Sequence, residues 1–378
     1  MASSVYYYNN NSHQFNETIL VLFRACTPRN NTDNIIFGGR SIFNGLLALF
    51  LSSDVKVKSV YGNFFMLERR PPPCSSIKSV TVLFYKTNLT GPLSAKFISD
   101  IKNTDDFIFT DVPHKSHGDI PISQSYSHIN DFISHQTGNV INDVIKPQSF
   151  SYQSNVMLQT TTIFSDTWIN QFDDMNTKLY PFHTNNGVIS LQMMMTNKAV
   201  EIPKISLEYA TVFKIPYDSG VSMIVYMPNN PAKYEQIHDD ISALSGANRF
   251  HNIQLHLQNS SKCYDILRMP KFNYQTTTDI TKGINGVAPF CYFNMSEMFQ
   301  DKTRAPSKVS HEIYSRIDNN EQGTTTNTTY TAYGYDSSPV KTMGLTIDKP
   351  FGFFIVQDSG HIINLGIFTG KDFESFGG

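Results

Sequence analysis

From Ser41 the apolar residues Phe43, Leu46, Leu47 and Phe50 recur at intervals of three and four, which predicts a buried helix with Ser41 placed to cap it. The run Arg69-Arg70-Pro71-Pro72-Pro73 stops regular structure and reads as a solvated turn. Val80, Val82 and Phe84 alternate with Thr81, Leu83 and Tyr85, so both faces of the predicted strand are largely apolar and the strand belongs inside. Ile129, Phe132, Ile133, Val140, Ile141 and Val144 return to helical spacing until Pro147, predicting an amphipathic surface helix. Beyond it the texture changes. Val156 to Phe164, Val188 to Met195, Ser206 to Ile215, Val221 to Met227 and Ile253 to Leu257 read as strands between Asn, Gly and Pro turns. No period of about 20 to 50 residues repeats, which excludes propellers and solenoids.

One stretch follows neither period. Thr324 to Tyr335 carries no charge and no apolar periodicity. Its threonines suit a strand, yet nothing marks a buried face. Two structures are compatible with it: an exposed loop, which the texture alone favours, or a strand held out of its sheet.

The chain has 378 residues, enough for one large domain or for two or three smaller ones. Hydrophobic residues make up 40%, with 28 Phe and 19 Tyr, so a sizeable core can form. Thirty Lys and Arg against 32 Asp and Glu leave a net charge of -2, and nothing in that balance selects nucleic acid. Cys26, Cys74, Cys263 and Cys291 have no C-x-x-C spacing and are expected to be buried thiols, not metal or redox ligands. The N-terminus has no basic start, and its first apolar run, Ile19 to Phe23, is too short for a signal-peptide core. No nearby run approaches the roughly 18 residues that span a bilayer, so no membrane is expected as a partner and synthesis is expected in the cytosol. The sequons at Asn16 and Asn88 read as chance in so Asn-rich a chain.

Enzyme signatures are missing. There is no G-x-S-x-G elbow, no phosphate loop, no H-E-x-x-H and no G-x-G-x-x-G after a strand. His114 and His117 lie in a Pro-flanked polar turn without the spacing of a helical metal pair. The expectation is a protein that is not an enzyme and has neither cofactor nor metal.

A set of strings then resembles the serpin family in order and spacing. Asn34-Ile35-Ile36-Phe37 is similar to the N-x-x-F before the family's buried second helix. Ile129-Asn130-Asp131-Phe132 with Thr137-Gly138-Asn139-Val140-Ile141 is similar to its helix over the central sheet. Ile163-Phe164-Ser165-Asp166-Thr167-Trp168 resembles Y-F-K-G-x-W and puts the only Trp where the family has its breach tryptophan. Met269-Pro270-Lys271-Phe272 resembles L-P-K-F, and Lys308-Val309-Ser310-His311 resembles the strand histidine ahead of the hinge. Glu321-Gln322-Gly323-Thr324 is similar to the hinge E-x-G-T, and Pro350-Phe351 with Phe353 to Ile355 and Gly366 to the closing strands. The chain departs from the family at Thr160, where an Asn is usual, and at Gly39-Arg40, which replace S-P. A short interval between Gly38 and Val80, read as the loss of one helix, together with the absent signal, is most like intracellular and poxvirus-type members.

The resemblance implies an α+β serpin fold with three β-sheets, about eight helices and an exposed reactive-centre loop, in one domain over 1–378 with hinge and loop at 321–345. It implies a suicide-substrate protease inhibitor whose cut loop enters the central sheet as a strand. The hinge residues are then Glu321, Gly323, Thr324, Thr326 and Thr328, supported by the breach and shutter residues Trp168 and His311. Alternate residues Thr324, Thr326, Thr328 and Tyr330 face inward on insertion. Tyr330 is bulkier than the family's small residue there, so insertion is expected to begin readily and stall.

For the reactive bond, the common family spacing lands on Ser337, with Ser338 next, and a spacing one residue shorter lands on Asp336, with Ser337 next. Tyr333-Gly334-Tyr335-Asp336 before a small Ser337 resembles the preference of inflammatory caspases, and an ionised Asp suits a paired-arginine pocket. The expected partner is a caspase-1-like protease or granzyme B, otherwise a serine protease cutting at Ser337. The protein itself is expected to be a cytoplasmic monomer, in the host-cell cytoplasm for a viral member, with an extracellular setting left open. The contrasting possibility is a serpin whose hinge does not insert, acting as a binding or decoy protein.

Overall fold

Helices alternate with strands in the first 100 residues, and strands dominate after Val156. The computed structural model describes residues 10–30, 33–61, 71–102, 107–111, 127, 130–132, 134–135, 156–230, 232–260, 262–287, 290–305, 312–325 and 344–371. Its helices are α1 (Asn10–Cys26), α2 (Gly39–Ser52), α3 (Val55–Tyr61), α4 (Thr87–Thr90), α5 (Ala95–Lys102), α6 (Tyr234–Ala243), α7 (Arg249–Asn259) and α8 (Thr281–Gly286). The strands begin with β1 (Ile35–Phe37), β2 (Ile77–Tyr85), β3 (Phe107–Asp111), β4 (Val156–Thr167), β5 (Lys178–Thr184), β6 (Gly187–Met195), β7 (Val200–Ser206), β8 (Ala210–Pro216) and β9 (Val221–Pro228). They continue with β10 (Lys262–Asp265), β11 (Leu267–Pro270), β12 (Phe272–Asp279), β13 (Glu312–Asn319), β14 (Gly323–Thr325), β15 (Leu345–Thr346), β16 (Phe351–Gln357) and β17 (Ile362–Phe368).

The helical period after Ser41 is realised in α2, which buries Phe43, Leu46, Leu47 and Phe50. Each of these side chains contributes about 1.5–3 kcal/mol by leaving water. Ser41 does not cap it: the helix starts at Gly39, Gly38 is the cap residue without a side-chain bond, and Ser41 is buried inside the first turn. The doubly apolar strand is β2, where Val82, Leu83 and Phe84 are buried. The interval after Gly38 holds α2 and the seven-residue α3, with 62–70 outside the described residues. Of the amphipathic helix read over 129–144, residues 130–132, 134 and 135 are described and helical, and Phe132 meets Phe84 edge-on at 6.0 Å.

The structure differs from two of the predicted strands. Ile253 to Leu257 lies within helix α7, because Phe250, Ile253, Gln254 and Leu257 form one buried face at helical spacing. Ser206 to Ile215 is two strands, β7 and β8, joined by a turn and paired antiparallel from Lys204↔Phe213 to Ser206↔Thr211.

Three sheets result. A seven-stranded sheet runs β1-β17-β16-β9-β8-β7-β10, a four-stranded one β15-β11-β6-β5, and a six-stranded central one β12-β13-β14-β4-β2-β3. Two cores fill the space between layers. One gathers α1, α2, α6 and α7 through Phe15, Phe23, Leu46, Ile237 and Phe250. The other joins the sheets through Phe164, Trp168, Phe182, Tyr217, Phe272 and Phe353.

The four thiols are free, but only Cys26 is buried; Cys74 and Cys263 are half-buried and Cys291 is exposed. Burial, helped by the charge of Asp279, pushes the Cys26 thiol up to about 12. The Asn16 side chain is buried in α1, donating to Gly360 O at 2.8 Å and accepting from Ile362 N at 2.9 Å, which takes that sequon out of reach. No described helix is long and apolar enough to cross a membrane. Among the described residues no group of three or more His, Cys, Asp or Glu is placed to hold a metal.

Candidate functional site at the hinge of the central sheet

The uncharged stretch enters the structure as β14, three residues wedged antiparallel between β13 and β4. Thr324 pairs with Asn319 on one side and Asp166 on the other. Gly323 pairs with Thr167, and a Cβ added there would lie 2.0 Å from Asp166 O and 2.8 Å from Thr167 Cα. Only glycine fits this approach, because backbone on the far side cannot swing away.

The turn leading into β14 is held by Asn320, whose Oδ1 accepts from Gln322 N at 3.1 Å and Gly323 N at 3.2 Å. Trp168 clamps the same turn. Its Nε1 donates to Asn320 O at 3.0 Å, its backbone N donates to Gln322 O at 2.9 Å, and its ring stacks on Tyr217 at 4.1 Å. Tyr217 then donates to Thr324 Oγ1 at 2.7 Å, Thr324 donates to Asn319 Oδ1 at 3.0 Å, and Asn319 donates to Pro270 O at 3.0 Å. Burial drives the Tyr217 hydroxyl well above its ordinary range despite the bond to Thr324, so it acts as a donor throughout the neutral range.

Glu321 anchors the base of the turn. Its carboxylate accepts from Lys271 Nζ at 2.8 and 3.1 Å and from Thr177 Oγ1 at 2.7 Å, and it is 4% exposed. Burial alone would raise its pKa, but the bonds from Lys271 and Thr177 outweigh that and hold it below the usual carboxylate range.

Glu321, Gly323, Thr324 and Trp168 thus lie together at this turn. His311, Thr326, Thr328, Tyr330, Tyr333, Gly334, Tyr335, Asp336, Ser337 and Ser338 lie outside the described residues. Tyr217, Asn319, Asn320, Thr177 and Lys271 were not singled out from sequence. Lys271 alone had a signal, as the third residue of Met269-Pro270-Lys271-Phe272.

Past Thr325 the described parts of β4 and β13 have no ladder between them, and among the described strands β14 is the one that joins the two. Two cavities sit behind this boundary. One is walled by Gly38, Ser41, Thr162, Ser315 and Asn364. The other is walled by Gly45, Leu46, Leu158, Thr160, Ile284 and Ile313, and the buried Thr160 Oγ1 has no hydrogen-bond partner among the described residues.

A short strand hinged into the middle of a six-stranded sheet, clamped by one tryptophan, defines the class. The family model "Serpin (serine protease inhibitor)" matches residues 14–371, and the chain belongs to the serpin family. Among curated relatives, serine proteinase inhibitor 2 of Myxoma virus is 26% identical over 61% of this chain and 66% of its own length. Serpin B11 of Mus musculus is 26% identical over 64% of this chain and 62% of its own. The match therefore spans under two thirds of either relative. In fold the chain is similar to a cleaved Serpin 42Da, at TM-score 0.71 and 16% identity over 95% and 97% of the two chains. It is likewise similar to uncleaved ovalbumin, at TM-score 0.72 and 16% identity over 95% and 99%. The expected serpin fold, with its three sheets and eight helices among the described residues, is the one observed.

Proposed function

We propose that the protein, as one domain over 1–378, is a suicide-substrate protease inhibitor baited at Asp336, against an Asp-specific protease such as a caspase-1-like enzyme or granzyme B. The main support is β14: the first loop residues are already seated between β4 and β13, whose boundary beyond Thr325 has no described ladder. The protease nucleophile adds to the Asp336 carbonyl carbon, the bond to Ser337 nitrogen breaks, and that nitrogen leaves as the new amine after taking a proton. The Asp336 carbon stays bonded to the protease as a thioester or ester. Insertion of residues 326 onward then carries the acyl-enzyme away and distorts its site before water cleaves it, drawing on strain stored in the uncut fold. Tyr333, Gly334 and Tyr335 supply the recognition upstream of the cut. The setting is cytoplasmic and the inhibitor a monomer.

Mixing the purified protein with caspase-1 and with granzyme B, followed by a denaturing gel and mass spectrometry, tests this. A covalent adduct joined through Asp336 supports it. Adduct with a serine protease through Ser337 moves the bait one residue. Cleavage without adduct, or no cleavage by either enzyme, overturns inhibition in favour of a binding or decoy role.

A further inference from the structure

His238 holds α6 against the end of α1. Its imidazole is 3% exposed and lies between two aromatic rings, Phe23 of α1 at 5.1 Å and Tyr234 of its own helix at 5.9 Å. Nε2 stands 2.8 Å from Thr27 Oγ1, and that hydroxyl stands 2.5 Å from Phe23 O. A carbonyl cannot donate, so the single hydroxyl proton points to Phe23 O, and Thr27 Oγ1 accepts from Nε2–H. The ring is thereby fixed as the neutral tautomer protonated on Nε2. Its Nδ1 is bare, buried and without a hydrogen-bond partner among the described residues.

The carboxylate beside it is already engaged. Asp239 Oδ1 is 3.9 Å from Nδ1, too far for a hydrogen bond, and accepts from Arg29 Nε at 2.8 Å, while Oδ2 accepts from Arg29 Nε and Nη2. The two aromatic rings and the Thr27 bond keep the imidazole from swinging toward it. Other charged groups act at one remove, Glu235 on Arg29 and Arg24 of α1 on Asp239. On the sheet side Tyr226 donates to Asp240 at 3.1 Å, and burial keeps Tyr226 and Tyr274 protonated. Cys26 of α1 stays a thiol, pushed up to about 12.

We propose that His238 is an acid-release latch between α1 and α6: it joins the two helices while neutral, and protonation at Nδ1 opens that corner of the fold. A proton on Nδ1 creates a buried donor with no acceptor, which the ring relieves only by leaving Thr27. Burial works in the same direction, holding His238 below its ordinary 6.5 despite the pull of Asp239, and Arg29 adds to the lowering. The latch's stabilisation is therefore present above 6.5 and lost as pH falls from there to the folded value. The hinge anchor at Glu321 titrates below 4.5, so mild acid opens the corner and leaves the hinge seated.

Hydrogen exchange of the full chain, read by mass spectrometry at pH 7.5 and pH 5.5 and corrected for the ordinary pH dependence of amide exchange, tests the latch. The opened form takes up the proton, and one pH unit below 6.5 favours it by up to about tenfold. Protection of peptides over 23–27 and 234–243 should therefore fall by about tenfold in wild type, while peptides over 319–325 hold theirs. His238→Gln keeps a donor for Thr27 but takes up no proton, so its fall should stay under about twofold. The Arg29 side chain is 65% exposed, so Arg29→Gln should fold. By freeing Asp239 to meet Nδ1 it should limit the fall to under about fivefold, which keeps the test open if the first variant does not fold. His13 is also held below its ordinary value, by burial and by His251, but it sits in the first turn of α1 and both variants retain it. A wild-type fall under about twofold overturns the latch, as does an undiminished fall in His238→Gln or in Arg29→Gln. An equal fall in the hinge peptides overturns it in favour of general unfolding in acid.

Discussion

Replacing Glu321 by Gln removes the charge at the base of the hinge while keeping its shape. The carboxylate is nearly buried, with 6% of its side chain exposed, and receives three hydrogen bonds, two from Lys271 and one from Thr177. Breaking a fully buried pair costs about 3–5 kcal/mol. Lys271 is 32% exposed and can rehydrate, so the cost falls to about 2 kcal/mol at neutral pH. The pH dependence follows from the sign of the shift. Glu321 in the fold sits below its ordinary value of 4.5, so its stabilisation is present above 4.5 and is lost as pH falls through the folded value. Urea unfolding of wild type and Glu321→Gln at pH 7 and pH 3 should give a gap of about 2 kcal/mol that closes in acid. Lys271→Met should cost less on the Gln background than on wild type, with a coupling above about 1 kcal/mol. A neutral gap under about 0.5 kcal/mol, or one undiminished at pH 3, would refute the hinge anchor.

Gly323→Ala should leave the fold intact but displace β14 from Asp166 and Thr167, cutting adduct formation by about tenfold or more relative to wild type in the gel assay. Asp336→Ala should abolish cleavage by Asp-specific proteases without changing the melting temperature of the intact chain; unaltered cleavage would move the bait elsewhere. Trp168→Phe should destabilise by about 1–2 kcal/mol through loss of the bond to Asn320 O, measured by chemical unfolding. In the native chain Trp168 is the only tryptophan, so its emission should change when the loop is nicked. A thiol reagent should modify exposed Cys291 first and Cys26 only on unfolding, read by peptide mapping.

The local periods located α2 and β2 because each buries a continuous apolar stripe that a window of ten residues contains. The five residues from Ile253 alternate apolar and polar, and that short window mimics a strand. The helical face shows only when Phe250 is included. The hinge was legible through Glu321, Gly323 and Thr324, whose types are fixed by one tight backbone approach and one buried face. Their partners were not. Tyr217 and Thr177 come from other strands and turns, and nothing in their own neighbourhoods distinguishes them from ordinary tyrosine and threonine; Lys271 is marked only by its place in Met269-Pro270-Lys271-Phe272, which says nothing of its pairing with Glu321. The mistaken cap at Ser41 has the same origin, since burial under the sheet overrode a local preference.

The order of the seven-stranded sheet bears on how the chain is made. β16 and β17 are the last strands in chain order, yet they sit inside the sheet between β9 and the N-terminal β1, with every residue buried. Until residue 368 leaves the ribosome, β9 and β1 have no common partner, and both present bare edges flanked by apolar side chains. Assembly of this sheet is therefore a late, long-range event. A nascent chain paused before Phe351 would hold two sticky edges open, making it a natural client for chaperones.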